Sequence, residues 1–272
     1  MDMENMEMNK NFNNNWLKWF IGLNDAEGNF QTYPKKRLLK SGEISKINVG
    51  YSYHLSMLKR DIKMIQNIQI KLKGIGSIYE YTNKPDSRLA VNDKQGLLYL
   101  IKNVFELNPL LTKNQLIRYQ LLKEGLINHI NEFKTLEEYN NYKSERLLYI
   151  TKKVGIKKSL FTELDIDNWI IGFINGEGSF NIKNSRLVFY IEHLDKNALE
   201  IIKKRLCFGP NVLKRSERAR YIGKIRKEMF QLFISSKKDI ENLIMFLDDK
   251  NNIPLQGYKN IQYNEWKKGN SI

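Results

Sequence analysis

Apolar and polar positions alternate along this chain in two periods, and the same succession of periods occurs twice. Trp19, Phe20 and Leu23 have the three-to-four-residue spacing of an amphipathic helix, and alternating segments typical of strands follow them. Each succession predicts a helix, two strands, a helix, two strands and a helix. We predict strands at residues 29–39, 46–53, 77–82, 87–92, 179–183, 186–192, 211–216 and 227–235.

One segment carries the repeat most clearly. Residues 19–30 read WFIGLNDAEGNF and residues 169–180 read WIIGFINGEGSF, with six of twelve positions identical. His54-Leu55 is echoed by His193-Leu194, and Pro109-Leu110 by Pro254-Leu255. A period this long indicates a duplication. We predict a flexible tail over residues 1–15, halves over 16–130 and 166–272, and a connector over 131–165.

The charge balance limits the classes of partner. With 45 Lys and Arg against 30 Asp and Glu, the net charge is +15 and the pI about 9.6, which favours nucleic acid as a partner. No apolar run approaches the roughly 20 residues that span a bilayer, and no basic amphipathic anchor indicates membrane binding. A single cysteine excludes a disulfide framework and a thiolate zinc site, so any metal needs oxygen ligands.

The repeated segment predicts a helix pair. Gly22 and Ala26 lie four residues apart, as do Gly172 and Gly176, and small residues at this spacing allow close approach of two helix backbones. We expect Gly28 and Gly178 to end these helices in a left-handed turn. Glu27 and Glu177 then stand at the last turn of two touching helices, where the helix dipoles and their mutual repulsion disfavour them. Divalent cations would offset that cost and activate water at a scissile phosphate, with the carbonyls of Ala26 and Gly176 as further ligands.

The same residues resemble a known family. FIGLNDAEG (residues 20–28) and IIGFINGEG (residues 170–178) are similar to the LAGLIDADG motif, with Glu27 and Glu177 at its acidic position. The resemblance extends from about Trp16 to Trp266 and is closest to single-chain, two-motif homing endonucleases encoded in organellar introns. The chain departs from the LAGLIDADG sequence at Asn24-Asp25 and at Ile174-Asn175, but the acidic residue and the glycines of each motif are retained.

The resemblance implies an α+β fold, with two αββαββα halves related by pseudo-two-fold symmetry. Each half would carry a four-stranded antiparallel saddle for the DNA major groove. It also implies a monomer that uses Mg²⁺, or Mn²⁺ in its place, to cut a long double-stranded target with 3′ overhangs. Ca²⁺ would be a non-catalytic substitute. A lysine near the site would assist. The candidates are Lys113 and Lys259, which follow the two Pro-Leu pairs in equivalent places, and Lys227.

The predicted saddle strands supply candidate DNA contacts. Amide and cationic side chains alternating along a strand suit base edges in the major groove, and a cluster of basic residues suits phosphates. The candidates for base contact are Gln31, Tyr33, Lys35, Arg37, Asn181, Lys183 and Arg186. The candidates for phosphate contact are Lys214, Arg215, Arg218 and Arg220.

Two other functions remain open at this level. An intron RNA maturase would use the same basic fold, with or without nuclease activity, and a DNA-binding regulator would need no catalysis. The two glutamates favour cleavage over both. Abundant Ile, Lys, Asn and Tyr indicate an AT-rich coding genome, and the first fifteen residues lack the features of a signal or transit peptide. We therefore expect an organellar, mitochondrial protein made where it works.

Overall fold

The computed structural model describes residues 3–155, 161–215 and 228–269, with side chains from Asn14 onward. These residues form two compact units. One, the continuous unit, spans residues 28–157, and the other, the split unit, joins residues 1–27 to 158–272. The predicted halves differ from this division, because the first helix of the chain packs in the split unit, against the helix of the second motif.

The split unit contains both motif helices. Its second motif helix starts at a capping box, in which Thr162 and Asp165 each bond the other's backbone nitrogen. Helices and strands are numbered in chain order over the whole molecule. In this unit they are α1 (Met3–Glu27), α6 (Glu163–Glu177), β6 (Gly178–Lys183), β7 (Arg186–His193), α7 (Lys196–Arg205), β8 (Leu213–Arg215), β9 (Met229–Ile234), α8 (Lys237–Leu247) and α9 (Gly257–Lys268).

The first helix is longer than predicted. The predicted tail over residues 1–15 is helical from Met3, because the first 21 residues contain neither glycine nor proline to end a helix and include several good helix formers. The second motif helix leads into a four-stranded antiparallel sheet of order β6-β7-β9-β8. Asn184 and Ser185 both have positive φ, as a two-residue hairpin turn requires, and they join β6 to β7.

The continuous unit repeats this plan with one addition. Its sheet has the order β1-β2-β4-β3, and a fifth strand pairs with β2 where Ile47 faces Phe133. Its elements are β1 (Gly28–Leu38), β2 (Ile44–Leu58), a 3-10 turn (Lys59–Asp61), α2 (Ile62–Lys71), β3 (Ser77–Glu80), β4 (Asp86–Val91), α3 (Lys94–Leu100), a π-helical segment (Ile101–Phe105), α4 (Lys113–Ile127), β5 (Glu132–Phe133) and α5 (Leu136–Lys153).

The predicted connector is therefore mostly part of the continuous unit. Residues 132–153 supply β5 and α5, and the Tyr139 hydroxyl on α5 donates to the backbone oxygen of Thr32 at 2.9 Å. The eight predicted strands are confirmed within about five residues at each end, although residues 216 and 227, at the ends of two of them, lie outside the described residues. The α+β fold is confirmed, with one antiparallel sheet per half and β5 added to the first.

The duplication is visible in the aromatic cores. In the continuous unit the rings of Phe30 and Tyr119 lie 5.5 Å apart, and in the split unit Phe180 and Tyr263 lie 5.4 Å apart. Each tyrosine hydroxyl donates to a carboxylate, Glu106 at 2.5 Å and Asp248 at 2.8 Å. Equivalent residues thus keep equivalent contacts in each unit.

The predicted equivalence of the two histidines is wrong. Register pairs His54 with Asn29, on the same face of its sheet as Gln31. His193 instead pairs with Phe230 and packs edge-on against Phe173 at 5.0 Å, on the buried face. In the structural repeat His54 corresponds to Tyr190, three residues before His193. The two histidine side chains therefore point to opposite faces of their sheets.

Candidate active site at the paired helices

Glycine allows the backbones of α1 and α6 to touch. A Cβ added at Gly22 would overlap the carbonyl of Trp169 and lie 2.9 Å from the nitrogen of Phe173. A Cβ added at Gly172 would overlap the carbonyl of Trp19 and lie 2.9 Å from the nitrogen of Leu23. The two contacts are reciprocal, so the close packing predicted for the two motif helices is confirmed.

Further along the crossing, the two helices differ in their polar contacts. The buried carboxylate of Asp25 accepts from the indole nitrogen of Trp169 at 2.8 Å. Asn175 occupies the matching place on α6 and binds the backbone of Gln256, accepting from its nitrogen at 2.6 Å and donating to its oxygen at 3.2 Å. Since Gln256 is the N-cap of α9, Asn175 fixes the start of that helix.

The two glutamates end the paired helices side by side. Gly176 faces Glu27 so closely that a Cβ added there would lie 3.7 Å from the Glu27 carboxylate. Burial raises the pKa of Glu27, opposed by the charge of Lys259. Burial raises the pKa of Glu177 to about 8, and the negative charge of Glu27 adds to that shift. Both carboxylates are therefore costly to ionise without a cation.

The predicted left-handed turn after each glutamate is wrong. Gly178 has φ −66° and ψ 141°, which is extended, and Gly28 lies outside the residues with positive φ. The chain passes directly from helix to strand at both places. Glycine is needed at 178 for space, because a Cβ there would lie 2.7 Å from the backbone oxygen of Ile174.

The carbonyl that follows each glutamate is held by a different side chain in each unit. In the split unit the Lys259 ammonium donates to the backbone oxygen of Gly178 at 2.5 Å. In the continuous unit the Gln115 amide donates to the backbone oxygen of Gly28. Gln115 and Lys259 each stand four residues before the core tyrosine of their helix. The counterpart of Lys259 is therefore Gln115, and the predicted equivalence of Lys113 with Lys259 is wrong.

Of the two candidate lysines that the structure describes, Lys259 is the one whose charge opposes the rise in the pKa of both glutamates. Lys113 is the exposed first residue of α4 and corresponds to Gly257 at the start of α9. Lys227 lies outside the described residues. Catalytic roles for all three lysines stay predictions.

The family model described as LAGLIDADG endonuclease matches residues 20–126, and residues 170–178 repeat its motif on the paired helix α6. Over these residues the chain is similar to the LAGLIDADG endonuclease family. The Kluyveromyces lactis protein named "Probable intron-encoded endonuclease aI3" is 26% identical over 92% of this chain and 64% of its own length. The Schizosaccharomyces pombe protein "Probable intron-encoded endonuclease Cox1-I1b" is 26% identical over 61% of this chain and 41% of its length.

The chain thus spans less than two thirds of the length of these curated relatives. Solved LAGLIDADG structures share its fold. The structure of I-SmaMI bound to uncleaved DNA in the presence of calcium ions has a TM-score of 0.67 at 22% identity, covering 93% of this chain and 89% of that one. The structure of I-CpaMI bound to uncleaved DNA has a TM-score of 0.64 at 20% identity, covering 94% and 91%.

Each of the two sheets has a buried face and an open face. Successive side chains of every strand point to these two faces in turn. In β1 the buried face carries Phe30 and Thr32, so the predicted DNA contacts occupy the open face together. These open-face residues are Gln31, Tyr33, Lys35 and Arg37. In the split unit, Asn181, Lys183 and Arg186 share the open face of β6 and β7, since Lys183 pairs directly with Arg186.

The remaining predicted DNA contacts divide. Register pairs Arg215 with Met229 on the open face, whereas Lys214 pairs with Phe230 on the other face and binds Glu228 at 2.6 Å. Lys214 is therefore not on the same face as the other candidates. Arg218 and Arg220 lie outside the described residues.

Several open-face residues of the continuous unit were missed by the sequence reasoning. They are polar or basic residues of β2, β3 and β4, whose strands carry none of the predicted DNA contacts. The signal was the same alternation that identified β1. The missed residues are Lys46, Asn48, Ser52, His54, Ser56, Ser77, Tyr79 and Arg88.

The donor set at the paired helix ends fits a hard divalent cation. Glu27 and Glu177 offer carboxylate oxygens, and the last carbonyls of a helix, such as those of Ala26 and Gly176, have no partner within the helix. In the described ranges, no group of three or more His, Cys, Asp or Glu side chains could hold a metal by itself. A cation here needs ligands from outside the protein as well, which a phosphate can supply.

Proposed function

We propose that this LAGLIDADG protein is a site-specific DNA endonuclease. It makes a staggered double-strand break in a long DNA target by hydrolysing one phosphodiester bond in each strand. The observation that carries the proposal is the pair Glu27 and Glu177, partly buried side by side at the ends of touching helices with raised pKa values. A splicing cofactor or a binding protein has no use for that costly pair.

The proposed cofactor is Mg²⁺, with Mn²⁺ as a replacement and Ca²⁺ as a substitute that permits binding without cleavage. Glu27, Glu177 and the carbonyls of Ala26 and Gly176 would hold it. When bound, the cation lowers the pKa of a water molecule and offsets the charge of the scissile phosphate. Lys259 favours the ionised form of both glutamates and adds a positive charge where phosphate charge develops.

The proposed partner is double-stranded DNA, bound by the open faces of the two sheets. One chain supplies both glutamates, so we propose that a monomer is sufficient. Among the described residues, none of the helices is long and apolar enough to cross a membrane. Relatives include fungal intron-encoded endonucleases, and another is named a mitochondrial protein of Saccharomyces cerevisiae, which supports a mitochondrial origin.

Selection from a randomised or genomic DNA library tests this function. Incubation with Mg²⁺ should yield a few long sequences cut in both strands, and a chelator should abolish cutting. Intron RNA is the control ligand. Binding of that RNA, with no DNA sequence selected or cut, would replace the endonuclease proposal by the maturase alternative.

The raised pKa of Glu177 predicts a pH-dependent stability without metal. Its pKa is about 8 when folded and 4.5 otherwise, so the folded state binds the extra proton between these values. In chelator, this group should lower the free energy of unfolding as pH rises from about 5 to 8, by about 1.4 kcal/mol per pH unit at most. Denaturant unfolding of wild type and Glu177→Gln measures it.

The difference between the two proteins isolates this group from other carboxylates. Glu177→Gln should become the more stable protein in chelator near pH 8, with little difference near pH 5. Ca²⁺ should stabilise wild type more than the variant at pH 8, because a bound cation stabilises the folded state. Parallel pH profiles for the two proteins would show that Glu177 ionises freely.

The open face predicts different roles for adjacent residues. Lys35 lies on the open face with its ammonium 5.2 Å from the Tyr33 ring, whereas Lys36 lies on the other face. Lys35→Ala should weaken DNA binding and lower the salt slope by about one unit, because it removes a cationic side chain from the face proposed to bind DNA. Lys36→Ala should leave both unchanged. Fluorescence-anisotropy titrations across a salt series measure the affinity and the salt slope. Equal losses of affinity in Lys35→Ala and Lys36→Ala would contradict the assigned faces.

A further inference from the structure

A single carboxylate group connects three strands on the open face of the split unit's sheet. Register pairs Glu192 of β7 with Gln231 of β9, and places Arg215 of β8 on the same face. Glu192 Oε1 accepts from the Gln231 amide nitrogen at 2.8 Å, and its Oε2 forms an ion pair with Arg215. Both oxygens of Glu192 are therefore engaged. We call these three residues the Glu192 cluster.

Electrostatics disfavours an acid at this position for two reasons. Under the proposed function this face binds DNA, and a carboxylate there repels phosphates. Glu192 also raises the pKa of Glu177, so its charge acts on the catalytic centre itself. Among the described strand residues of this sheet's open face, Glu192 is the acidic one. Glu192 can therefore contribute to DNA binding only through the two side chains that it holds, Arg215 and Gln231.

Those two side chains have the chemistry of base recognition. Arg215 binds Glu192 through Nη1, which leaves donors for the two acceptors of guanine in the major groove. Gln231 gives one amide hydrogen to Glu192 and keeps the other, with its carbonyl, for the paired donor and acceptor of adenine. The side chain of Arg215 is 32% exposed and that of Glu192 18%, so the arginine is accessible while its anchor is more enclosed.

We propose that Glu192 is a positioning residue for target recognition, fixing Arg215 to read a guanine and Gln231 to read a neighbouring base. The inference rests on the proposed function, and it adds which bases of the DNA target Arg215 and Gln231 would read. Because Gly178, which follows Glu177, pairs with Ile191, which precedes Glu192, the bases read by the cluster lie near the cleavage position. A side chain held in one conformation before binding loses less entropy on binding, which sharpens discrimination between bases.

The test compares base preferences of wild type, Glu192→Gln, Arg215→Lys and the double variant. Each protein selects bound sequences from a library randomised around the wild-type target with Ca²⁺, and cut sequences with Mg²⁺. Glu192→Gln should reduce discrimination about tenfold or more at one or two positions near the cut, leaving distant positions unchanged. Arg215→Lys should relax the same position, since lysine lacks the bidentate geometry. The double variant should add little further loss.

The matched control is Glu228→Gln. It removes the same charge from a glutamate that pairs with Lys214, whose register puts it on the opposite face. Because Glu228→Gln and Glu192→Gln remove the same negative charge, the control should raise the affinity for DNA at low salt by a similar factor. It should not change the base preference. Melting temperatures of all variants show whether the fold is retained.

The outcomes separate the inference from the proposed function. A wild-type chain that selects no DNA overturns both. A wild type that selects a target, with a folded Glu192→Gln of unchanged preference, overturns the inference alone. So does equal broadening in Glu228→Gln, because net charge would then explain it. If Glu192→Gln unfolds, Arg215→Lys and Gln231→Ala decide, and unchanged preference in both overturns the inference.

Discussion

Glu27→Gln and Glu177→Gln should each reduce DNA cleavage by about a hundredfold or more while leaving target binding intact. Each substitution removes a charged oxygen ligand from the site at the helix ends, and stabilisation by a metal ion is worth several kcal/mol in the transition state. Glutamine keeps the size and the hydrogen-bonding capacity of the side chain. The measurement is single-turnover cleavage of a supercoiled target plasmid, which separates nicked circles from linear product.

Target-DNA binding by the Glu27→Gln and Glu177→Gln variants is measured separately from cleavage. With Ca²⁺ replacing Mg²⁺, both variants should bind the target at least as tightly as wild type, since a negative charge near phosphate is removed. Glu241→Gln is the control, an exposed glutamate on α8 whose side chain is 54% accessible. It should cut at the wild-type rate. A wild-type cleavage rate in either motif variant would remove that glutamate from the site.

Gly22→Ala and Gly172→Ala should each destabilise the protein by about 1–3 kcal/mol or more. A methyl group at either position meets a backbone carbonyl of the opposite helix, and backbone cannot move aside as a flexible side chain can. The helix axes must separate, which also displaces the glutamates one turn later. Denaturant unfolding measures the stability, and cleavage should fall with it.

Gly155→Ala is the matched control, because a Cβ there meets no atom of the described residues within 4 Å. It should change the free energy of unfolding little. The double variant Gly22→Ala with Gly172→Ala should cost less than the two single changes together, since one separation of the helices relieves both contacts. Additive losses would mean that the two glycines do not share a crossing.

Much of the fold could be predicted because its signals are local. Alternation of apolar and polar residues located the strands, and the repeated glycines located the helix crossing. Two features had no such signal. The strand at Glu132–Phe133 is two residues long, too short for any period, and exists because Ile47 and Asn48 offer an edge of β2 for pairing. The helical start at Met3 had no single boundary residue to mark it, because Asp2 and the asparagines up to Asn15 are all possible N-caps.

The site could be predicted only as far as the repeat extends. Glu27 and Glu177 follow directly from it, whereas Lys259 and Gln115 depend on where a distant helix begins. The Pro-Leu pairs misplaced the counterpart of Lys259 at Lys113, because α4 begins four residues after Pro109 whereas α9 begins three residues after Pro254. Counting back from Tyr119 and Tyr263, which are fixed in the cores, gives the observed pair.

The distance in sequence between α1 and α6 affects how the chain folds during synthesis. Glu27 ends α1 and Glu163 begins α6, so the ribosome must add about 135 residues before the partner helix appears. At about 5–20 residues per second this takes roughly 7–27 s. The continuous unit can form during that time, while Phe20, Ile21 and Leu23 have not yet met α6. These side chains are fully buried in the folded protein, so their apolar surface stays exposed until α6 has been made.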